Sequence, residues 1–197
     1  MKRNEYWNDV ASKGAILGAM MLAFYILEQT IILKSSSMGV MLLASVCDIA
    51  VCAVYVWLLY RFSKRAAERY GDEITGYSYS QGLLYVLWTA VFAGVIAGFG
   101  RYVYMHWIVG YDNYVEHLLD TMQRLMANMG GTSPAMYNAL LSSLAEQQEP
   151  GIFATISSSI FSYGFWGMLV GLFIAAGVKR EPNLFDGGEN NDKESNE

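Results

Sequence analysis

The chain has 197 residues, of which 54% are hydrophobic and 16% charged, and its formal net charge at pH 7 is -5. The acidity belongs to residues 181–197, where Glu181, Asp186, Glu189, Asp192, Glu194 and Glu197 face Lys193 alone, so residues 1–180 are neutral. This excludes a basic nucleic-acid-binding surface, because phosphate neutralisation needs clustered Lys and Arg. It also predicts that residues 181–197, nearly without apolar residues after Phe185, form a disordered acidic tail.

Four apolar stretches follow in chain order, over about 14–33, 38–60, 80–103 and 151–178. A helix of about 20 apolar residues crosses a hydrocarbon core, so residues 1–180 read as one all-α membrane domain, a bundle of four transmembrane helices. The first span contains Glu28, and Gly14 and Gly18 lie on its face at helical spacing with Met21, Tyr25 and Glu28. No small-x-small cleavage site follows it, and it reads as a retained crossing. The second span holds Asp48 near its middle, together with Cys47 and Cys52. Those two cysteines point in different directions on one helix and read as packing residues rather than a disulfide. Asp48 shares a stripe with Ala44, Ser45, Cys52 and Tyr55 and is expected to face neighbouring helices.

The helix of the second span is expected to run on to Tyr70 and stop at Gly71. Ser78, three residues before Gln81, then forms a capping-box pattern that opens the third span. On that span Ala90, Gly94, Gly98 and Arg101 form a small-residue stripe ending in a charge. Beyond it, Val115, Leu118, Leu119, Met122, Leu125, Met126 and Met129 recur at helical spacing, and Met136, Leu140, Leu141 and Leu144 mark a second amphipathic helix. Gly130–Gly131 separates the two and Pro150 precedes the last span, so about 112–149 reads as an extramembrane helical hairpin. The fourth span repeats small residues at Gly167, Gly171 and Ala175. Stripes of this kind let helices approach closely.

Lys and Arg are concentrated before the first span, between the second and third, and after the fourth. The positive-inside rule then predicts cytoplasmic termini and an outward-facing hairpin, in a bacterial cytoplasmic (inner) membrane.

The combination resembles an uncharacterised family of bacterial four-span membrane proteins, best represented in Bacteroidetes and known only as a domain of unknown function. The features that carry the likeness are Gly76-Tyr77-Ser78-Tyr79-Ser80-Gln81-Gly82, Tyr111-Asp112-Asn113-Tyr114, the hairpin with Pro150, and Val178-Lys179-Arg180-Glu181-Pro182. It covers roughly Asp9 to Pro182. The resemblance implies architecture and supplies no substrate, cofactor or catalytic residue.

Charges inside spans are costly, about 2.5–3.5 kcal/mol at the centre, which makes Glu28, Asp48 and Arg101 the candidate intramembrane polar site. At about 1.5 Å per residue, Glu28 lies roughly 7–8 Å below the outer end of its span, at a depth similar to Arg101. A structural reading pairs Glu28 with Arg101 and leaves Asp48 hydrogen-bonded or protonated. A functional reading makes the acids an ion or proton path. Met105, Met122, Met126, Met129, Met136, His106 and His117 lie in the outer region, but the methionines of the first outer helix occupy its packing face, so no metal and no cofactor is expected. No nucleophile elbow, phosphate loop, HExxH or CxxC is present. The leading expectation is a non-enzymatic scaffold in the lipid bilayer that packs against another membrane protein or itself through the hairpin. The alternative is a small transporter or ion-translocating protein using Glu28, Asp48 and Arg101.

Overall fold

The computed structural model describes residues 3–34, 38–71, 76–128, 142 and 149–180. Five helices appear among them: α1 (Arg3–Lys34), α2 (Met38–Tyr70), α3 (Tyr79–Val103), α4 (Tyr111–Asn128) and α5 (Ile152–Val178). A π-helical turn, Tyr104–Val109, extends α3. Four segments are long and apolar enough to cross a membrane: Asn4–Ile31, Leu43–Tyr70, Tyr79–Val109 and Ile152–Val178. A helix satisfies its own backbone polar groups, which lipid cannot do. Intramembrane hydroxyls follow the same logic, with Thr30 and Thr89 donating to the carbonyls of Ile26 and Tyr85.

Small residues decide which helices meet. Helix α3 is the centre of the bundle, with Gly82, Ala90, Ala93, Gly94, Ala97 and Gly98 buried. On one side Gly14 and Gly18 of α1 lie against Thr89, Phe92, Ala93 and Ile96. On the other, Gly94 and Gly98 meet Ile156, Ser159 and Ile160 of α5, and Gly167 and Gly171 meet Ala90, Leu83 and Val86. The helices approach so closely there that a Cβ on any of these six glycines would press on its neighbour. Transmembrane helices have little hydrophobic incentive to associate, so such close van der Waals contact is what holds them together.

The sequence Gly76–Gly82 works as a joint. Gly76 takes φ 67, a conformation disfavoured for side chains with a Cβ. Tyr77, 2% exposed, exchanges backbone hydrogen bonds with Arg180 at 3.0 and 3.1 Å, tying the entry of α3 to the end of α5. Burial against Tyr6 and Tyr70 pushes the Tyr77 hydroxyl well above its ordinary pKa. Ser78 caps α3 by accepting from the Gln81 backbone at 3.2 Å, and the Gln81 side chain returns the bond to Ser78 at 2.9 Å. Gly82 then fits against Ala175 and Val178.

The apolar core is concentrated at this same end. Leu17, Leu59, Phe62, Ala66, Ala67, Tyr77, Tyr85 and Val178 pack together there. The other half is looser. Helix α2 is held by its Leu59–Ala67 half, whereas Leu43, Val46 and Ile49 are 61%, 63% and 72% exposed. Ser63, Ala66 and Ala67 are buried in the half near Tyr70, whereas residues 45–50 nearer Met38 are all exposed and α2 stands away from its neighbours there.

At the far end Gly110, at φ 82, turns the chain from the π-helical segment into α4. Asn113 donates to the Val109 carbonyl at 3.1 Å, and the Tyr114 amide to the Gly110 carbonyl. Asp112, Glu116, His117 and Asp120 are exposed on α4, with Val115, Leu118 and Leu119 half-buried. Helix α4 is the first arm of the expected hairpin. The second arm, and the acidic tail after Arg180, lie outside the described residues except for Ser142.

Candidate functional site

Four helices converge on a cavity of about 130 Å³ in the looser half of the bundle. Helix α1 contributes Tyr25 and Glu28, one turn apart, α2 contributes Asp48, α3 contributes Arg101, and α5 contributes Tyr163. All three candidate polar residues therefore line one space. The Glu28 carboxyl lies within hydrogen-bonding reach of the Asp48 carboxyl, on a different helix. Ionised carboxylates only accept hydrogen bonds, so this approach is favourable when a proton or a cation is shared between them.

Arg101 takes a different place from the paired one. Among the described residues no ion pair of 4.0 Å or less joins it to Glu28, although both border the cavity. Its guanidinium lies over the Tyr25 ring, 4.8 Å from the centroid, a cation–π geometry. The Arg101 Nε is buried without a hydrogen-bond partner. Tyr25 also meets Tyr104 edge to face at 5.9 Å. Tyr104, the first residue of the π-helical turn, is itself buried.

A second cavity, of about 170 Å³, adjoins the first between α1 and the Met38 end of α2. Glu28 and Asp48 border both. Its remaining walls include Leu27, Ile31, Leu43, Ala44 and Val51 and are almost wholly apolar. Asp48 departs here from the expected inward position, because it is exposed, at the mouth of this cleft. Tyr55 of the same stripe is buried against Tyr163, whereas the divergence of α2 towards Met38 leaves the acid at a lateral opening.

His106 stacks between Tyr102, 4.0 Å away, and Tyr111, 5.5 Å away. Its Nδ1 sits 3.0 Å from the Tyr102 carbonyl oxygen and its Nε2 3.2 Å from Glu149. It fastens the end of α3 to the approach of α5. No three His, Cys, Asp or Glu side chains converge as metal ligands among the described residues. Cys47 and Cys52 are free thiols.

Sequence reasoning missed a second polar group at the other end. Tyr85 donates to Asp9 at 2.8 Å, and Arg69 approaches Asp9 at 4.0 Å. Tyr6 packs edge to face on Tyr70 and Tyr85. The available signal was a tyrosine in the middle of an uncharged apolar stripe, since a buried Tyr hydroxyl generally seeks a partner. This group ties α1, α2 and α3 together.

Residues 13–180 match a family described as "Protein of unknown function (DUF4199)". Neither the curated proteins nor the solved structures yield a match.

Proposed function

From the premise that the chain belongs to the DUF4199 family, whose description assigns no chemistry, we propose that it is a non-enzymatic membrane protein that takes a proton or monovalent cation at Glu28 and Asp48 and passes it across the bilayer. The observation that carries this reading is the approach of two carboxyls from different helices on a cavity inside the membrane. A structural pair would bring Glu28 onto Arg101. Here Glu28 meets a second acid, an arrangement that costs free energy unless a positive species is shared. Arg101 borders the same space with its Nε unpartnered, which suits a site that exchanges its occupant.

Docking of another membrane protein, or of a second copy, through α4 takes second place. The apolar residues Val115, Leu118 and Leu119 are already half-covered.

This reading sets the protein in a bacterial cytoplasmic membrane with both termini in the cytoplasm. Support comes from the gathering of basic residues at one end of the bundle, where Arg69 approaches Asp9 and Arg180 bonds Glu68 at 3.3 Å. The site then lies in the outward half.

Purified protein reconstituted in vesicles with an entrapped pH-sensitive dye tests the function. Dye response to imposed cation and pH gradients should exceed that of empty vesicles, and Asp48→Asn and Glu28→Gln should abolish it. No response above empty vesicles, over a range of cations and gradients, would reject the proposal in favour of a scaffold.

A further inference from the structure

We propose that the occupant of this site is an amphipathic organic cation, entering sideways from the bilayer through the cleft between α1 and α2. The inference rests on the reading that Glu28 and Asp48 hold a positive species, and adds its chemical class and its route.

Charge comes first. Two ionised carboxyls against one guanidinium leave the site short of a single positive charge. A bare metal ion meets this poorly. Hard cations require about six or more oxygen ligands, and no trio of ligating side chains converges among the described residues. An ammonium already carrying alkyl groups needs no such shell. It is attracted by carboxylates and by aromatic faces, and Phe24, Tyr25 and Tyr163 border the inner cavity beside the acids.

Shape comes second. The acids stand at the junction of two different spaces, one lined partly by polar groups and the other almost wholly apolar. Leu27, Ile31 and Leu43, on the walls of the apolar one, are 58%, 47% and 61% exposed, so it opens towards lipid. Its volume of about 170 Å³ suits one aromatic ring, since an apolar cavity of about 150 Å³ binds benzene. A cation with a ring-sized apolar group would place the ring between α1 and α2 and the ammonium between Glu28 and Asp48. It would also neutralise Asp48, an exposed acid within a membrane-spanning segment.

The test uses the full chain in nanodiscs of uncharged phosphatidylcholine and the probe benzyltrimethylammonium, with binding measured by equilibrium dialysis against empty nanodiscs. Three comparisons accompany it: neopentylbenzene, which has the same shape without the charge, tetramethylammonium, which has the charge without the ring, and the variants Asp48→Asn and Leu43→Trp. Leu43 is exposed, so a larger side chain fills the cleft without entering the core, and helical circular dichroism checks that both variants are folded. Saturable binding of one benzyltrimethylammonium per chain is expected. It should weaken at least tenfold in each variant and for tetramethylammonium. Equal binding of neopentylbenzene would make the cleft a hydrocarbon groove and overturn the proposal. Equal binding of tetramethylammonium, unaffected by Leu43→Trp, would remove the cleft from the site and overturn it too. Absence of benzyltrimethylammonium binding alongside Asp48-dependent flux of protons or inorganic cations would overturn the ligand class and leave the function standing. Absence of both would reject the two together.

Discussion

Replacing Gly94 by Ala tests the packing that holds the bundle together. A Cβ on Gly94 would lie 2.9 Å from the Ile160 Cα and 3.0 Å from the Ser159 carbonyl oxygen. Both atoms are backbone, so no side chain can rotate away, and α3 and α5 must separate or shift. Overpacking of this kind costs about 1–3 kcal/mol. Alanine's better helix propensity returns up to about 1 kcal/mol, which leaves a net loss of up to about 2 kcal/mol. Gly164, on α5 itself, supplies the contrast. Its nearest neighbour for a Cβ is the Val91 Cγ2 at 3.7 Å, ordinary contact. Gly164→Ala should therefore keep the propensity gain and be neutral or stabilising by up to about 1 kcal/mol. The propensity gain is common to both, so the two variants should differ by about 1–3 kcal/mol, roughly 5- to 150-fold in the unfolding equilibrium. Reversible unfolding by SDS titration in mixed micelles, followed by circular dichroism, measures that difference. Identical stabilities for the two variants would refute the α3–α5 register described above.

Two further expectations address the joint and the threading. Ser78→Ala removes the oxygen that accepts from the Gln81 amide and should cost about 1 kcal/mol, as loss of an N-cap generally does, measured by the same titration. Single cysteines at Ser143 and Ser195, in a background lacking Cys47 and Cys52, should label oppositely with an impermeant thiol reagent on intact cells. The Ser143 position should react and the Ser195 position should be protected, and the reverse pattern would invert the topology.

Much of the architecture was legible along the chain. Apolar runs longer than a bilayer crossing locate the four spans, because hydropathy is a sum over neighbouring residues and needs no partner. The capping box at Ser78 and Gln81 was equally readable, since both its bonds close within four residues. So was the amphipathic face of α4, which follows from helical spacing alone. Glu28, Asp48 and Arg101 were identifiable as costly intramembrane charges from composition and depth.

Which of those charges meet was a question only the tertiary structure decided. Spacing along α1 and α3 put Glu28 and Arg101 at one depth and on small-residue faces, a pattern that suits a pair. It carried no information about α2, whose Leu59–Ala67 half packs closely while its other half diverges. The packing of the helices brings Asp48 to Glu28 and sets Arg101 over Tyr25, and the divergence of α2 opens the apolar cleft to the bilayer. The bridge between Tyr77 and Arg180 and the bond from Tyr85 to Asp9 were hidden for the same reason. Each joins residues more than 75 positions apart, and their meeting depends on how four helices pack side by side. Local sequence sets how strongly each residue belongs in a helix and in lipid, and the fit between helix surfaces sets which residues face one another.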